Sequence, residues 1–396
     1  MKARKLVTLK RKEPMKRSCK RVNITDPETV RPWVVECIKR HKKRYDFRDL
    51  LLRHGLSRDD YYESLRTHDI SGYPFDSITE EAIRMIQDRE LRLKPVRMKE
   101  QEDKTTRKIR MIGCESPMQQ ILDYIAVYSC QEIWDRRIVP QQISSMPGRG
   151  QVYGMKLIRK YIRQDLRCIR WAKKNKKRYI RHNRYFVKLD IKKCFPNANH
   201  EIFLKLFRRD CGNPDILWLW EELMKTHKTE NYTGFMIGAL ISQWAAQYML
   251  SFLYRAATSI RIKGRRAVAR MVLFMDDMLL TSGNRSALLR AVYVLKDFAK
   301  SLGFTIKQTF AIYNIERVSI DMMGFVIHAN GKVTMRGRNY IKSRRLILRL
   351  QRRGRLTFEQ SRRLVSFKGF YKFSDYAGDF KAFKKAQNII RKGATA

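Results

Sequence analysis

Tyr185-Phe-Val-Lys-Leu-Asp190-Ile-Lys-Lys-Cys-Phe195-Pro196 is a β-rich run that delivers one aspartate to its end, where Pro196 stops the strand. A second run, Met271-Val-Leu-Phe-Met-Asp276-Asp277-Met-Leu-Leu-Thr281, places two adjacent aspartates between two apolar β-type segments, which predicts a hairpin with the acids at its turn. An Asp-Asp turn alone is ordinarily structural; a second strand ending in aspartate changes the reading. If the two strands lie side by side in one antiparallel sheet, Asp190 and Asp276 converge, with Asp277 alongside. Three carboxylates within reach of one another repel unless cations sit between them. Oxygen-rich sites of this kind hold Mg²⁺, and a pair of such ions about 3.5–4 Å apart stabilises the attacking and leaving oxygens of phosphoryl transfer. A nucleotidyl transferase and a nuclease both satisfy this pattern.

Around these strands the chain is very basic. Its 396 residues carry 85 Lys and Arg against 38 Asp and Glu, a formal net charge of +47. The length allows two to four folding units, and 44% hydrophobic residues exclude a disordered basic tail protein. An excess of this size is self-repulsive unless a polyanion is bound, and nucleic acid fits better than an acidic membrane. Seven scattered cysteines without a Cys-x-x-Cys pair read as reduced packing thiols. The charged N-terminus lacks the apolar stretch of a secretory signal, so a cytosolic location is the expectation. Residues 231–254 are free of charge over the length of a membrane span, but Gly, Gln and Ser interrupt them as in a buried helix.

The charges cluster. Residues 1–24 read as a basic arm, with ten Lys/Arg and one Glu between Lys2 and Arg21. Residues 25–100 read as helical, starting at Asp26-Pro27-Glu28, and Pro117 to Trp134 as a further helical stretch after a short basic strand, Lys108 to Ile112. Arg167 to Lys188 holds ten Lys/Arg and no acid, interleaved with Trp171, Tyr179 and Tyr185, a pattern that suits single-stranded nucleic acid and equally a solvated helix. Arg336 to Arg363 holds eleven Lys/Arg around Leu346, Leu348 and Leu350, read as the packed stripe of an amphipathic helix.

At this point the residues resemble the reverse transcriptases. The segment around Asp190 is similar to the family's motif A, and Phe274-Met-Asp276-Asp277 to motif C, with Phe where Tyr is usual. Between them Gly234-Phe-Met-Ile237-Gly238-Ala-Leu-Ile-Ser242-Gln243 resembles motif B. Arg107-Lys108-Ile109-Arg110 and Pro147-Gly-Arg149-Gly resemble fingers motifs, Leu302-Gly303-Phe-Thr-Ile-Lys307 motif D, and Met323-Gly324-Phe325 the primer-grip turn. The resemblance covers about residues 100–380 and implies an α+β right-hand polymerase with an antiparallel palm sheet. The expected division is an arm over 1–24, fingers over 25–165, a palm over 166–334 with a basic insertion at 166–185, and a helical thumb over 335–396.

The implied roles follow residue by residue. Asp190, Asp276, Asp277 and the Ile191 backbone would hold two Mg²⁺ ions, for which Mn²⁺ could substitute. Lys108 and Arg110 would neutralise the incoming deoxynucleoside triphosphate, and Lys307 would protonate the pyrophosphate leaving group. Phe195 would pack beneath the sugar and exclude a ribose 2′-OH. Ile237, Gly238 and Gln243 would shape the nucleotide pocket; Ile237 and Gln243 stand where most bacterial relatives carry Gln and Pro, a pattern similar to the enzymes of diversity-generating retroelements, which miscopy template adenines. Arg149, Lys173, Lys174, Lys177, Arg344, Arg345, Arg352 and Arg353 would contact nucleic acid. The partners so implied are a structured template RNA, its cDNA and a small basic oligomeric accessory protein, and no membrane, in the cytoplasm of a bacterial host or encoded by its phage. Two alternatives share the residues: a defence-associated or otherwise domesticated reverse transcriptase using its own non-coding RNA, and a non-catalytic RNA-binding scaffold with a polymerase fold.

Overall fold

A computed structural model describes residues 17–102, 109–227, 234–375 and 380–394. The N-terminal part is helical as its capping signals require. Asp26 accepts the Thr29 amide and Pro27 fills the first turn of α1 (Pro27–His41), which is followed by α2 (Tyr45–Arg53), α3 (Arg58–Thr67) and α4 (Phe75–Gln87). Helical structure stops there, short of residue 100, because β1 (Arg97–Glu102) and β2 (Ile109–Cys114) pair as an antiparallel ribbon. The helical stretch expected over Pro117–Trp134 consists of α5 (Pro117–Tyr128), capped by Ser116, and α6 (Gln131–Arg137), separated by Ser129 and Cys130. The basic arm also needs correction within its described part. Residues 17–24 are anchored at three positions: Ser18 bridges Cys211, the Cys19 amide donates to Glu132, and Ser18, Cys19 and Ile24 are buried. Residues 1–16 lie outside the described residues.

The helix α7 (Gln151–Lys174) runs unbroken across the 165/166 boundary expected between fingers and palm. It leads into β3 (Tyr185–Asp190), then α8 (His200–Asp210), α9 (Pro214–Thr226), α10 (Leu240–Ser259), the short ribbon β4 (Arg261–Ile262) and β5 (Arg265–Arg266), the hairpin β6 (Arg270–Phe274) and β7 (Asp277–Ser282), α11 (Arg285–Ser301) and β8 (Ile312–Asn314). The palm sheet has the order β6-β7-β3-β8 and every pairing in it is antiparallel.

Both faces of this sheet are covered, which is why its strands read as continuous apolar runs. Val187, Leu189, Met271, Leu273, Met278 and Leu280 belong to the large core shared with α10 and α11, whereas the alternate residues Phe186, Val272 and Leu279 pack with Ile158 and Ile162 of α7. That second layer also includes a small antiparallel sheet of β9 (Ile320–Met322), β10 (Phe325–Ile327) and β11 (Val333–Met335). The uncharged stretch 231–254 falls mainly in α10, whose Ala245, Tyr248 and Leu253 are fully buried; no helix of the described residues is long and apolar enough to cross a membrane.

The C-terminal helices α12 (Gly337–Arg353), α13 (Phe358–Ser366), α14 (Lys368–Phe373) and α15 (Phe380–Ala394) enclose a separate small core of Ile347, Leu350, Leu364 and Phe383. The packed stripe of α12 is Ser343, Ile347 and Leu350 with Leu346 packed beside them, and Leu348 of the expected stripe is not part of it. A spacing of two residues turns about 200° around a helix, so Leu348 cannot share a face with its two neighbours.

Candidate active site

The hairpin between β6 and β7 sets the geometry. Phe274 pairs with Asp277, leaving only Met275 and Asp276 to reverse the chain. A two-residue hairpin needs positive φ in its turn, and Met275 supplies it at +55°. For a residue with a Cβ this conformation costs about 1–2 kcal/mol. Neighbouring β3 pairs with β7 so that Asp190 stands directly opposite Asp277, and the Ile191 amide donates to the Asp276 carbonyl at 3.1 Å. The two strands therefore lie side by side with their aspartates at the same end of the sheet.

Electrostatics ties the three carboxyl groups together. Burial raises the Asp276 pKa above the ordinary carboxylate value, and the charges of Asp277 and Asp190 add to this while Arg110 opposes it. Burial likewise raises Asp277, with Asp190 adding and Lys188, Arg336 and Lys307 opposing. Cys194, buried nearby, is pushed up to about 12 by burial and then by Asp276 and Asp190. Lys307 Nζ lies 2.7 Å from Asp190 Oδ1, and this hydrogen bond raises the lysine pKa. The Lys307 amide donates to the Asp190 carbonyl, so motif D is held against motif A by backbone as well as side chain.

The donors fit a hard divalent cation in kind: they are carboxylate oxygens, without thiolate or imidazole. Burial together with like charge leaves Asp276 and Asp277 short of compensating positive charge. Among the described residues no three His, Cys, Asp or Glu side chains, Asp190, Asp276 and Asp277 included, gather closely enough to hold a metal ion, and the cation on Asp190 is the Lys307 ammonium.

The motif B loop docks on the fingers ribbon. Gly113 of β2 donates its amide to the Ile237 carbonyl at 2.9 Å. Gly238, at φ +110°, comes so close that a Cβ there would stand 3.1 Å from the Gly113 carbonyl oxygen. The same loop closes onto motif A: the Phe235 amide donates to the Phe195 carbonyl at 2.8 Å, and a Cβ on Gly234 would overlap the Pro196 carbonyl. Phe195 is half-buried against the large core, and Gln243 is half-buried in the first turn of α10.

The remaining sequence-derived positions are spread out. Lys108 lies outside the described residues. Arg149 donates to the Val139 and Gln142 carbonyls at 2.7 and 2.9 Å, fastening the segment that pairs with the edge of β6. Lys173 and Lys174 end α7, and Lys177 Nζ stands 5.4 Å over the Trp171 ring. Arg344, Arg345, Arg352 and Arg353 are exposed on α12. Two cations escape the motif reading. Lys188 lies two residues before Asp190, on the same side of β3, and donates to the Asp321 carbonyl at 2.8 Å. Arg336 donates to the Asp321 carboxylate at 2.7 Å. The strand alternation Lys188–Asp190 was the available signal for the first; the second is brought in by a chain reversal with no local cue.

A comparison with curated proteins finds no match. Among solved structures the chain is similar to telomerase from Candida albicans, solved with a fragment of telomeric RNA: 12% identity, 77% of this chain and 58% of that chain covered, TM-score 0.42. The family described as reverse transcriptase (RNA-dependent DNA polymerase) matches residues 99–326. That span is more than half of the chain and contains all three aspartates, so the chain belongs to the reverse transcriptase family.

Proposed function

We propose that this chain is an RNA-directed DNA polymerase that copies a template RNA into cDNA, and that it serves a diversity-generating retroelement. The observation that carries the polymerase reading is the antiparallel pairing of Asp190 with Asp277 beside the Asp276 turn, within a chain of this family. In this reading Asp190, Asp276 and the Ile191 backbone hold divalent cations, Mg²⁺ with Mn²⁺ as a substitute, and Asp277 stands beside them. Ions bound there would stabilise charge on the attacking and leaving oxygens of nucleotidyl transfer.

The chain's own residues do the rest. Arg110, whose charge already acts on Asp276, faces the triphosphate of a deoxynucleotide. Lys307, kept protonated by Asp190, is placed to give a proton to pyrophosphate. Phe195 stacks its ring where a ribose 2′-OH would need room. Ile237 offers no side-chain hydrogen bond near the incoming base, which relaxes the discrimination that a polar group would provide. That substitution, together with Gln243, supports the mutagenic subclass.

Extension of a primed RNA template with deoxy- and ribonucleotides, followed by product sequencing, tests these statements together. Asp276→Asn is expected to abolish extension while RNA binding persists; normal extension by that variant sinks the metal assignment. Ile237→Gln is expected to lower errors opposite adenine, and Phe195→Ala to admit ribonucleotides. Unchanged error spectra and sugar selectivity would remove the subclass and the gate, respectively.

A further inference from the structure

The sequence motifs leave one feature unexplained, a cleft of about 890 Å³ at the end of the palm sheet remote from the carboxylates. Its walls include Lys263, Arg265, Arg266, Arg270 and Arg290, and no Asp or Glu. The position follows from strand register. At the catalytic end Asp190 faces Asp277; at the other end Tyr185 faces Ser282, and Ser282 lines the cleft. Five residues of strand separate the two ends, roughly 17 Å at about 3.3 Å per residue.

All five cations are exposed, and none takes part in an ion pair among the described residues. Arg270 has its guanidinium 4.9 Å over the Tyr161 ring, which orients it without neutralising it. The N-terminus of α11 opens into the same space: Asn284 caps it, Ser286 and Ala287 line the cleft, and no acid lies in its first turn. Its macrodipole adds to the positive potential. The far wall is Ile180 and His182, reached directly from the basic run that ends α7. That wall is fixed, because a Cβ on Gly283 would stand 2.9 Å from the Arg181 carbonyl oxygen.

Like charges from separate elements (a β-ribbon, a sheet strand and a helix) gathered without any acid destabilise the fold unless an anion is drawn in. A compact phosphate pocket would bury a cation at its floor. Here the cations stay on an exposed rim, an arrangement that suits an extended polyanion contacted at several phosphates.

We infer that this cleft docks the phosphodiester backbone of a nucleic acid segment that is not being copied, such as a folded part of the template RNA, and holds it at the far end of the palm. The inference rests on the reading of the chain as a nucleic-acid polymerase, but not on its metal chemistry. The test compares the parent chain with a Lys263→Gln/Arg265→Gln/Arg266→Gln variant by fluorescence anisotropy. The probes are an RNA hairpin, a DNA hairpin of the same sequence and polyglutamate, titrated between 50 and 200 mM salt.

The expected result is weaker hairpin binding, with the slope of log affinity against log salt reduced by about two to three, while extension of a short primed template is unchanged. Loss on RNA alone assigns the docked segment to RNA, and equal loss on both hairpins assigns recognition to the backbone itself. Unaltered hairpin affinity and slope, or a loss confined to polyglutamate, overturns the inference. If the triple variant melts early, Arg290→Gln on the exposed face of α11 replaces it; its slope should fall by about one, and an unchanged slope is equally fatal. Failure of the polymerase reading looks different, since the parent itself would then not extend primers.

Discussion

Glu115→Gln should make the protein's stability less sensitive to rising pH, and the reason lies beneath the motif B helix. Glu115 is 6% exposed, and its Oε1 lies 3.1 Å from Nε2 of the fully buried His227. His227 Nδ1 in turn lies 3.3 Å from Ser242 Oγ in the first turn of α10, and the buried Asp123 accepts the Ile241 amide at 3.1 Å. The network thus joins α5 and the end of α9 to the start of α10. Burial pushes the Glu115 pKa up to about 7, with Arg44 opposing. Burial also raises Asp123, further lifted by Glu115, and lowers His227. In the unfolded chain a glutamate titrates near 4.3. Between that value and about 7 the folded chain holds a proton that the unfolded chain has released, so Glu115 lowers stability as pH rises through this window and no further above it. The full span corresponds to about 4 kcal/mol. Asp123 has the same sign, whereas His227, with its folded pKa depressed, adds stability as pH rises towards about 6.5. Gln keeps the size and hydrogen-bonding capacity of a neutral Glu but removes its titration. Urea midpoints at pH 5, 6, 7 and 8 should therefore show the variant gaining on the parent by roughly 2–3 kcal/mol across the series. A difference constant with pH, or one that shrinks as pH rises, refutes the buried-proton argument.

Other perturbations give separate readings. Asp210 accepts a two-pronged contact from Arg137 at 2.6 and 2.7 Å and the Tyr248 hydroxyl at 2.6 Å, so Asp210→Ala should cost about 3–5 kcal/mol by leaving a buried guanidinium uncompensated. A urea midpoint matching the parent would show that water reaches Arg137. Gly234→Ala places a Cβ against the Pro196 carbonyl and 2.5 Å from that of Phe195, so motif B must shift off motif A; incorporation should slow by about 10²-fold at unchanged helix content. Lys307→Met breaks an ion pair whose partners are both more than a third exposed, so its effect on stability should stay below about 1 kcal/mol. The rate of single-nucleotide addition should nonetheless fall by about 10²-fold or more, and an unaltered rate would remove Lys307 from proton transfer.

Which parts of this molecule were legible from sequence depends on whether a residue's partner is local. The palm strands were legible because burial on both faces keeps the runs largely apolar, Lys188 apart, and because a strand ending in Asp beside an Asp-Asp hairpin admits few arrangements. Met275 was not singled out, although a two-residue turn dictates its positive φ once the strand ends are known. Charge was the poorer guide. Residues 17–24 carry Arg17, Lys20 and Arg21, yet their Cys19 and Ile24 are core, since single apolar residues among lysines leave no periodicity. On α12 the core position falls to Ser343, whose hydroxyl is used by the Tyr340 carbonyl and lies 3.0 Å from the Tyr371 hydroxyl; a satisfied hydroxyl replaces the leucine that the pattern led one to seek.

Arg149 shows the same limit from the other side. A cation in a glycine-rich loop looks like a phosphate contact, but loops leave carbonyls without partners, and this guanidinium meets two of them. Cations of ribbons and strands can serve carbonyls too, as Lys188 does at Asp321 and Arg261 at Thr258 and Ser259, but among the described residues no side-chain hydrogen bond ties Lys263, Arg265, Arg266, Arg270 or Arg290. It follows that the surplus charge most available to an RNA is not in the loops nearest the motifs. It is the set held out by β4, β5, β6 and α11, where regular structure satisfies the backbone and leaves each side chain to act at the surface.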